Sequence, residues 1–308
     1  MARTRYAPDR GLTSRMLVTM FLLGLVYVVF VSAFFVIAPS WGLIALVGAG
    51  VFLFVQYFYS GKIALFAMHG REVTPAEAPE LHGVIDRICA LADAPKPKVA
   101  ISDIDVPNAF ATGRNQKEAV VCVTTGLLRR LDPVELEAVL AHEMAHVAHR
   151  DVAVMTIASF LGVVAGLITR FGLEWGLWGG FSNRDRNNDG DSTGAILLAV
   201  VAVSALAYGI SFLLTRALSR YRELSADRSA ALLTGRPSAL ASALTKVSGE
   251  IARIPTNDLR AGEPFNAFFF APAFTKGFSV SSLLSTHPTL DQRLQQLSTI
   301  SGQLSRGA

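Results

Sequence analysis

Four stretches of this chain run without a charged residue for long enough to constrain everything else. They are residues 16–38, 41–59, 152–169 and 193–215, with lengths of 23, 19, 18 and 23 residues. At helical rise, roughly 20 apolar residues cross a bilayer core, with a range of about 17 to 25. All four qualify, and because lipid offers backbone groups no partners, each is expected to be helical. The first two are separated only by Pro39 and Ser40, a turn that hardly leaves the lipid. A cleaved signal has an apolar stretch of about 7 to 15 residues, so residues 16–38 read instead as an uncleaved anchor. The third and fourth stretches admit a second reading as a buried helix pair, since Thr156 and Ser159 interrupt the third. Composition supports the membrane. Hydrophobic residues make up 51% and charged residues 17%, against about a quarter charged in a typical soluble protein.

Basic residues near the spans set orientation. Arg3, Arg5, Arg10 and Arg15 precede the first span, and Lys62 and Arg71 follow the second. The N-terminus and the chain beyond about residue 60 are therefore expected on the cytoplasmic side of the cell membrane. Residues 170–192 would then lie outside, with Arg170, Arg184 and Arg186 weighing against it. The net charge of +4 comes from scattered residues without a basic run, so nucleic acid is not an expected partner. Cys89 and Cys122, in apolar surroundings, read as buried thiols.

The remaining segments are expected to fold as helices around a small sheet. Residues 77–92 read as a helix, with strand-like runs at 98–101 and 119–124. Asp132, Pro133 and Glu135 open a strong helix: Asp132 caps it, Pro133 fits its first turn, and Glu135 completes a capping box. Residues 218–233, 238–251 and 290–297 read as further helices. A Pro/Gly/Phe-rich loop covers 255–277, and its aromatic run 265–270 reads as packing.

The chemistry lies on two of these helices. His142-Glu143-Met144-Ala145-His146 is an H-E-x-x-H sequence. Positions i and i+4 share one helical face, so both imidazoles can reach one metal ion while Glu143 stands beside it. Neutral imidazole is a good zinc ligand, and three protein ligands plus water make a catalytic site. His149 is one candidate for the third ligand, but at three residues past His146 it suits a helix end or solvent better. Glu223 is the stronger candidate. Asp227 follows it by one helical turn, placed to accept a hydrogen bond from the far N–H of a ligand histidine. A solvated charged face would show the same Glu-x-x-x-Asp pattern. Asp185, Asn187, Asp189 and Gly190 match the opening of a calcium loop, but Ile196 stands where a bidentate carboxylate is needed.

Taken together, four local motifs resemble the HtpX group of membrane-embedded zinc endopeptidases, relatives of the type I CAAX prenyl proteases. They are residues 107–113 (PNAFATG), 142–146 (HEMAH), 219–227 (SRYRELSAD), and 285–288 (STHP) with Arg293. His149-Arg150-Asp151 stands where Asn-Gly-Asp is frequent in that group, a departure that touches no ligand. The resemblance implies a mainly α fold, in which integral membrane helices accompany a gluzincin-type metalloprotease domain with a small β-sheet. It implies one zinc ion per chain on His142, His146 and Glu223, with Asp227 behind a ligand histidine and Glu143 moving the proton. It makes His287 the second donor to the developing oxyanion and Arg293 its supporting charge. Asn108, Val121 and Val123 are expected at the substrate, with residues 120–124 as an edge strand that takes an extended peptide by strand addition.

On this reading residues 1–15 form a cytoplasmic N-terminus and 16–60 a transmembrane hairpin. Residues 61–150 hold the first part of the catalytic domain, 151–216 the third and fourth membrane helices, and 217–308 the second part. The implied work is quality control, cutting misfolded or damaged membrane proteins at cytoplasmic segments, with polypeptide substrates and the lipid bilayer as partners. A CAAX-type processing protease with a narrow substrate and a catalytically silent membrane scaffold are the alternatives. The intact Glu143 argues against the scaffold.

Overall fold

The computed structural model describes residues 10–37, 39–175, 191–251 and 287–307. In chain order the helices are α1 (Arg10–Ile37), α2 (Pro39–Ala67), α3 (Pro79–Ala92), α4 (Thr125–Arg130), α5 (Pro133–Ala148), α6 (Asp151–Trp175), α7 (Asp191–Thr234), α8 (Pro237–Ile251) and α9 (Leu290–Gly307). The strands are β1 (Gly70–Glu72), β2 (Lys98–Ser102), β3 (Ala109–Thr112) and β4 (Val120–Thr124). This is the mainly helical fold with a small sheet that the sequence implies. The loop at 255–277, Ser285, Thr286 and the calcium-like run at 185–190 lie outside the described residues.

The chain divides into two compact units. One comprises Met16–Tyr57 and Val154–Leu218. Its helices carry the four apolar stretches, and α1, α2, α6 and α7 each contain a segment long and apolar enough to cross a membrane. Phe30, Leu161, Ala165 and Ala207 pack together at its centre, while large apolar side chains such as Phe21 and Val36 are exposed. Such a surface is stable only against lipid or another apolar partner. The Tyr27 hydroxyl donates to the Ile157 carbonyl at 2.6 Å and accepts from the Leu161 N–H at 2.8 Å. It thereby inserts into a rung of the α6 hydrogen-bond ladder.

The other unit comprises Met1–Arg15, Phe58–Ala153 and Ser219–Ala308. Its sheet has the order β1-β2-β4-β3, with β2 and β4 parallel and the other pairs antiparallel. Central β4 is buried along its whole length, and its side chains alternate between two cores as the pleat requires. Val121 and Val123 face a core built with Ile85, Leu140, Met144, Leu244 and Leu297. Val120 and Cys122 face a smaller one with Ala64, Met68 and Phe110. Both cysteines are free and buried, as expected.

Local chemistry explains the helix ends. At α5, Asp132 Oδ1 accepts from the N–H groups of Val134 (3.0 Å) and Glu135 (2.9 Å), and Glu135 Oε2 accepts from the Asp132 N–H at 3.1 Å. The expected capping box is present. α3 starts two residues later than the sequence suggests, at Pro79. Glu77 serves the preceding turn instead, accepting from Thr74 N–H (2.7 Å) and Arg71 (2.6 Å). Pro39 and Ser40 belong to α2 and not to a turn, because Pro is well suited to a first helical position. The helix expected at 218–233 is the end of one continuous α7, which no proline interrupts after the fourth apolar stretch.

Candidate metal centre

All the side chains that meet at the centre belong to the unit containing the sheet. α5 supplies His142 and His146, one turn apart and both facing inward. Their Nε2 atoms lie 3.1 Å from each other. α7 brings up Glu223, with Oε1 at 3.4 Å from His146 Nε2 and Oε2 at 3.7 Å from His142 Nε2. The ligand atoms of these three residues all lie within 4.8 Å of one another, a group that could hold a metal ion.

The chemistry of the donor set tests whether a cation fits. His142 Nδ1 lies 2.9 Å from Asp227 Oδ1, and His146 Nδ1 lies 2.5 Å from Asp151 Oδ2. At these distances each carboxylate favours the tautomer of its imidazole that carries the proton on Nδ1. In that tautomer the two Nε2 atoms would present lone pairs to each other and to a carboxylate, an arrangement that repels unless a cation stands among them. Bonds of about 2.0–2.1 Å in a tetrahedral site would separate neighbouring donors by about 3.3 Å, close to the spacings found. Burial would raise the Glu223 carboxyl, but its neighbours His287, His142 and His146 outweigh that effect and hold it well below the usual range. That direction favours the carboxylate, the form that binds a cation.

Glu143 lies on the same helix, 4% exposed. Its Oε2 accepts a hydrogen bond from the Ala111 N–H at 2.9 Å. That N–H belongs to β3 and points away from β4. Burial pushes the Glu143 carboxyl up from its ordinary value, partly offset by His142 and His146. A carboxyl moved this way is suited to accept and return a proton.

The fourth group comes from α9. Arg293 is 1% exposed and grips Asp227 with two hydrogen bonds, Nε to Oδ2 at 2.7 Å and Nη2 to Oδ1 at 2.6 Å. Its charge outweighs the effect of burial and keeps the Asp227 carboxyl below its ordinary value. Asp227 is thus locked between Arg293 and His142. Arg293 also lies 3.7 Å from Glu223 Oε2, the oxygen that His287 faces. His287 lies just before Pro288, with Nδ1 at 3.1 Å from Glu223 Oε2. His149 is the C-cap residue of α5 and stands apart from the cluster. Burial, with His146 and Arg222 nearby, pushes it down to about 4.

The substrate-side expectations fare less well. β4 is not an edge strand: β2 and β3 pair with it on either side. Val121 and Val123 are wholly buried in the core and present no free strand. The pattern of apolar residues identified a strand, but the sheet order that places it between β2 and β3 leaves no mark in that pattern. The edge on this side is β3, within the 107–113 motif. Asn108 is also wholly buried, its N–H donating to Thr124 Oγ1 at 2.9 Å. Sequence reading missed three participants: the Ala111 N–H, Asp151 and Arg222. Arg222 stands within a motif already singled out. Asp151 carried no periodic signal at all.

Comparison with known proteins supports the same chemistry. Residues 75–301 match the sequence profile of peptidase family M48. The chain is 61% identical over 302 residues to "Protease HtpX homolog 1" of Streptomyces coelicolor, covering 98% of this chain and 97% of that protein. It is 50% identical over 297 residues to "Protease HtpX homolog" of Moorella thermoacetica, covering 96% of each. Its fold resembles the crystal structure of Ste24p from S. mikatae, with a TM-score of 0.51 at 20% identity, over 94% of this chain and 67% of that one.

Proposed function

The chain belongs to peptidase family M48 and is a multi-pass membrane metalloprotease, and from that premise we propose that it is a zinc endopeptidase of membrane-protein quality control. His142, His146 and Glu223 hold one zinc ion per chain. The observation that carries this reading is the pair of facing Nε2 atoms, each ring fixed from behind by a carboxylate, with Glu223 closing the third side.

Bound zinc would supply the Lewis acidity that makes water nucleophilic near neutral pH and polarises a peptide carbonyl. Glu143 takes the proton of the attacking water and delivers it to the leaving amine. His287, beside Glu223, is placed to donate to the negative charge that develops on the carbonyl oxygen. The β3 edge is the place for an extended substrate backbone. The Ala111 N–H on that edge is taken by Glu143, which it positions beside the strand. Because strand pairing reads backbone and not side chains, it suits a protease that must accept many misfolded segments.

The reading places the site on the cytoplasmic face of the cell membrane, on the evidence of the basic residues near the first two spans. His142 precedes α6 and Glu223 lies late in α7, so a single site requires an even number of crossings between them. Reporters fused near residues 130 and 235 should both read cytoplasmic, and opposite sides would exclude the composite site. The direct test uses the detergent-purified protein: zinc content, with hydrolysis of casein and of a denatured membrane protein, each with and without chelator. One zinc per chain and chelator-sensitive cleavage are expected. Cleavage that persists in a metal-free sample would overturn the proposal.

A further inference from the structure

Asp227 stands behind His142, as the sequence implies. The structure puts a second carboxylate behind His146, one that no motif assigns. Asp151 Oδ2 lies 2.5 Å from His146 Nδ1. In a continuous helix a residue five positions on lies about 140° around the axis, on the wrong side to reach back. The chain reaches by breaking the helix. α5 ends at Ala148, His149 caps it, and Arg150 takes a φ of +58°. That left-handed conformation costs a residue with a Cβ about 1–2 kcal/mol. α6 then restarts at Asp151, turned back toward His146.

Asp151 is held in turn. Its Oδ1 forms an ion pair with the Arg222 guanidinium of α7, and the two side chains are 9% and 3% exposed. We propose that Asp151 and Arg222 are positioning residues for the metal. Asp151 fixes the Nδ1–H form of His146 and aims its Nε2 at the ion, and Arg222 holds Asp151 in place. The centre then rests on two matching clamps: His142–Asp227–Arg293 and His146–Asp151–Arg222. α7 takes part in both, since Arg222, Glu223 and Asp227 lie within two turns of it. The register of this single helix sets one ligand and a member of each clamp. This explains why a buried arginine directly precedes the glutamate ligand, and what the left-handed Arg150 accomplishes.

The inference rests on the zinc reading above, and the test separates the two. In the full-length protein in detergent, zinc affinity is measured by competition with a chromogenic chelator. The visible spectrum of the cobalt-loaded protein reports the ligand geometry. Asp151→Ala should weaken zinc 10- to 100-fold, the range typical of partners behind a metal ligand, and shift the cobalt bands. Asp151→Asn keeps an acceptor oxygen and should recover most of the affinity. Arg222→Gln should weaken zinc several-fold, and should add nothing in the Asp151→Ala background. A purely structural ion pair would lower thermal stability and leave affinity and spectrum unchanged. Wild-type affinity with an unshifted spectrum in Asp151→Ala overturns the proposal. Should that variant not fold, Arg222→Gln decides alone, and wild-type affinity there overturns it. Glu223→Ala is the control. If it also binds zinc normally, the zinc reading itself fails. If it loses zinc while Asp151→Ala does not, only the clamp fails.

Discussion

Replacing Glu143 by glutamine is the most informative perturbation of this protein, because the structure predicts opposite effects on chemistry and on folding. Oε2 of the carboxylate accepts from the Ala111 N–H at 2.9 Å, and in the proposed mechanism the group as a whole accepts a proton. Glutamine has the same shape and its amide oxygen can keep the Ala111 bond. What it loses is the extra strength of a charged acceptor, about 1 kcal/mol, and this is opposed by relief of a buried charge. Stability should change little, and zinc should stay. The rate should not survive. General acid–base catalysis typically contributes 10²- to 10⁴-fold, which at 1.36 kcal/mol per decade is about 3–5 kcal/mol of barrier. The assay is hydrolysis of a fluorescent casein by the detergent-purified variant, alongside zinc content and a thermal melt. Turnover within tenfold of wild type would refute the assignment of Glu143 to proton transfer. Loss of zinc would mean instead that Glu143 is a ligand. Glu143→Asp adds a geometric control: it keeps the acid but withdraws it by one methylene from Ala111, and should also be slow.

Other substitutions test the surrounding frame. Glu223→Ala should lose zinc, whereas His149→Ala should keep it, since His149 caps α5 away from the ligand cluster; metal analysis of the two decides, and the reverse ranking would replace the third ligand. Arg293→Met leaves the buried Asp227 carboxylate without its bidentate partner and should destabilise by about 3–5 kcal/mol. A thermal melt reads this, and adding Asp227→Asn should restore part of the loss. Burial pushes the Cys122 thiol up to about 12, so at pH 8 it should stay unalkylated by iodoacetamide until the protein is denatured. Mass spectrometry of the native and denatured samples reads the difference.

What the sequence determined by itself was everything governed by spacing along a single element. Four charge-free runs of bilayer length identify membrane helices, because lipid excludes charge and unpaired backbone. The four-residue interval from His142 to His146 puts two imidazoles on one face, and the same interval from Glu223 to Asp227 does so for two carboxylates. Asp132, Pro133 and Glu135 encode a helix start in four residues. The tertiary structure decided which elements meet. Residues 120–124 read plainly as a strand, but only the sheet order shows them at its centre, with β3 at the edge. That Arg293 reaches Asp227 is a fact of packing, because a buried carboxylate with one side on an imidazole needs a cation on the other. The partner of Asp151 was not legible for a different reason. The approach of Asp151 to His146 depends on one left-handed residue at Arg150, and a backbone reversal at a non-glycine position leaves no trace in periodicity. Helical and strand periods record which side chains share a face, but the partners of a buried charge are fixed only by what packs against it.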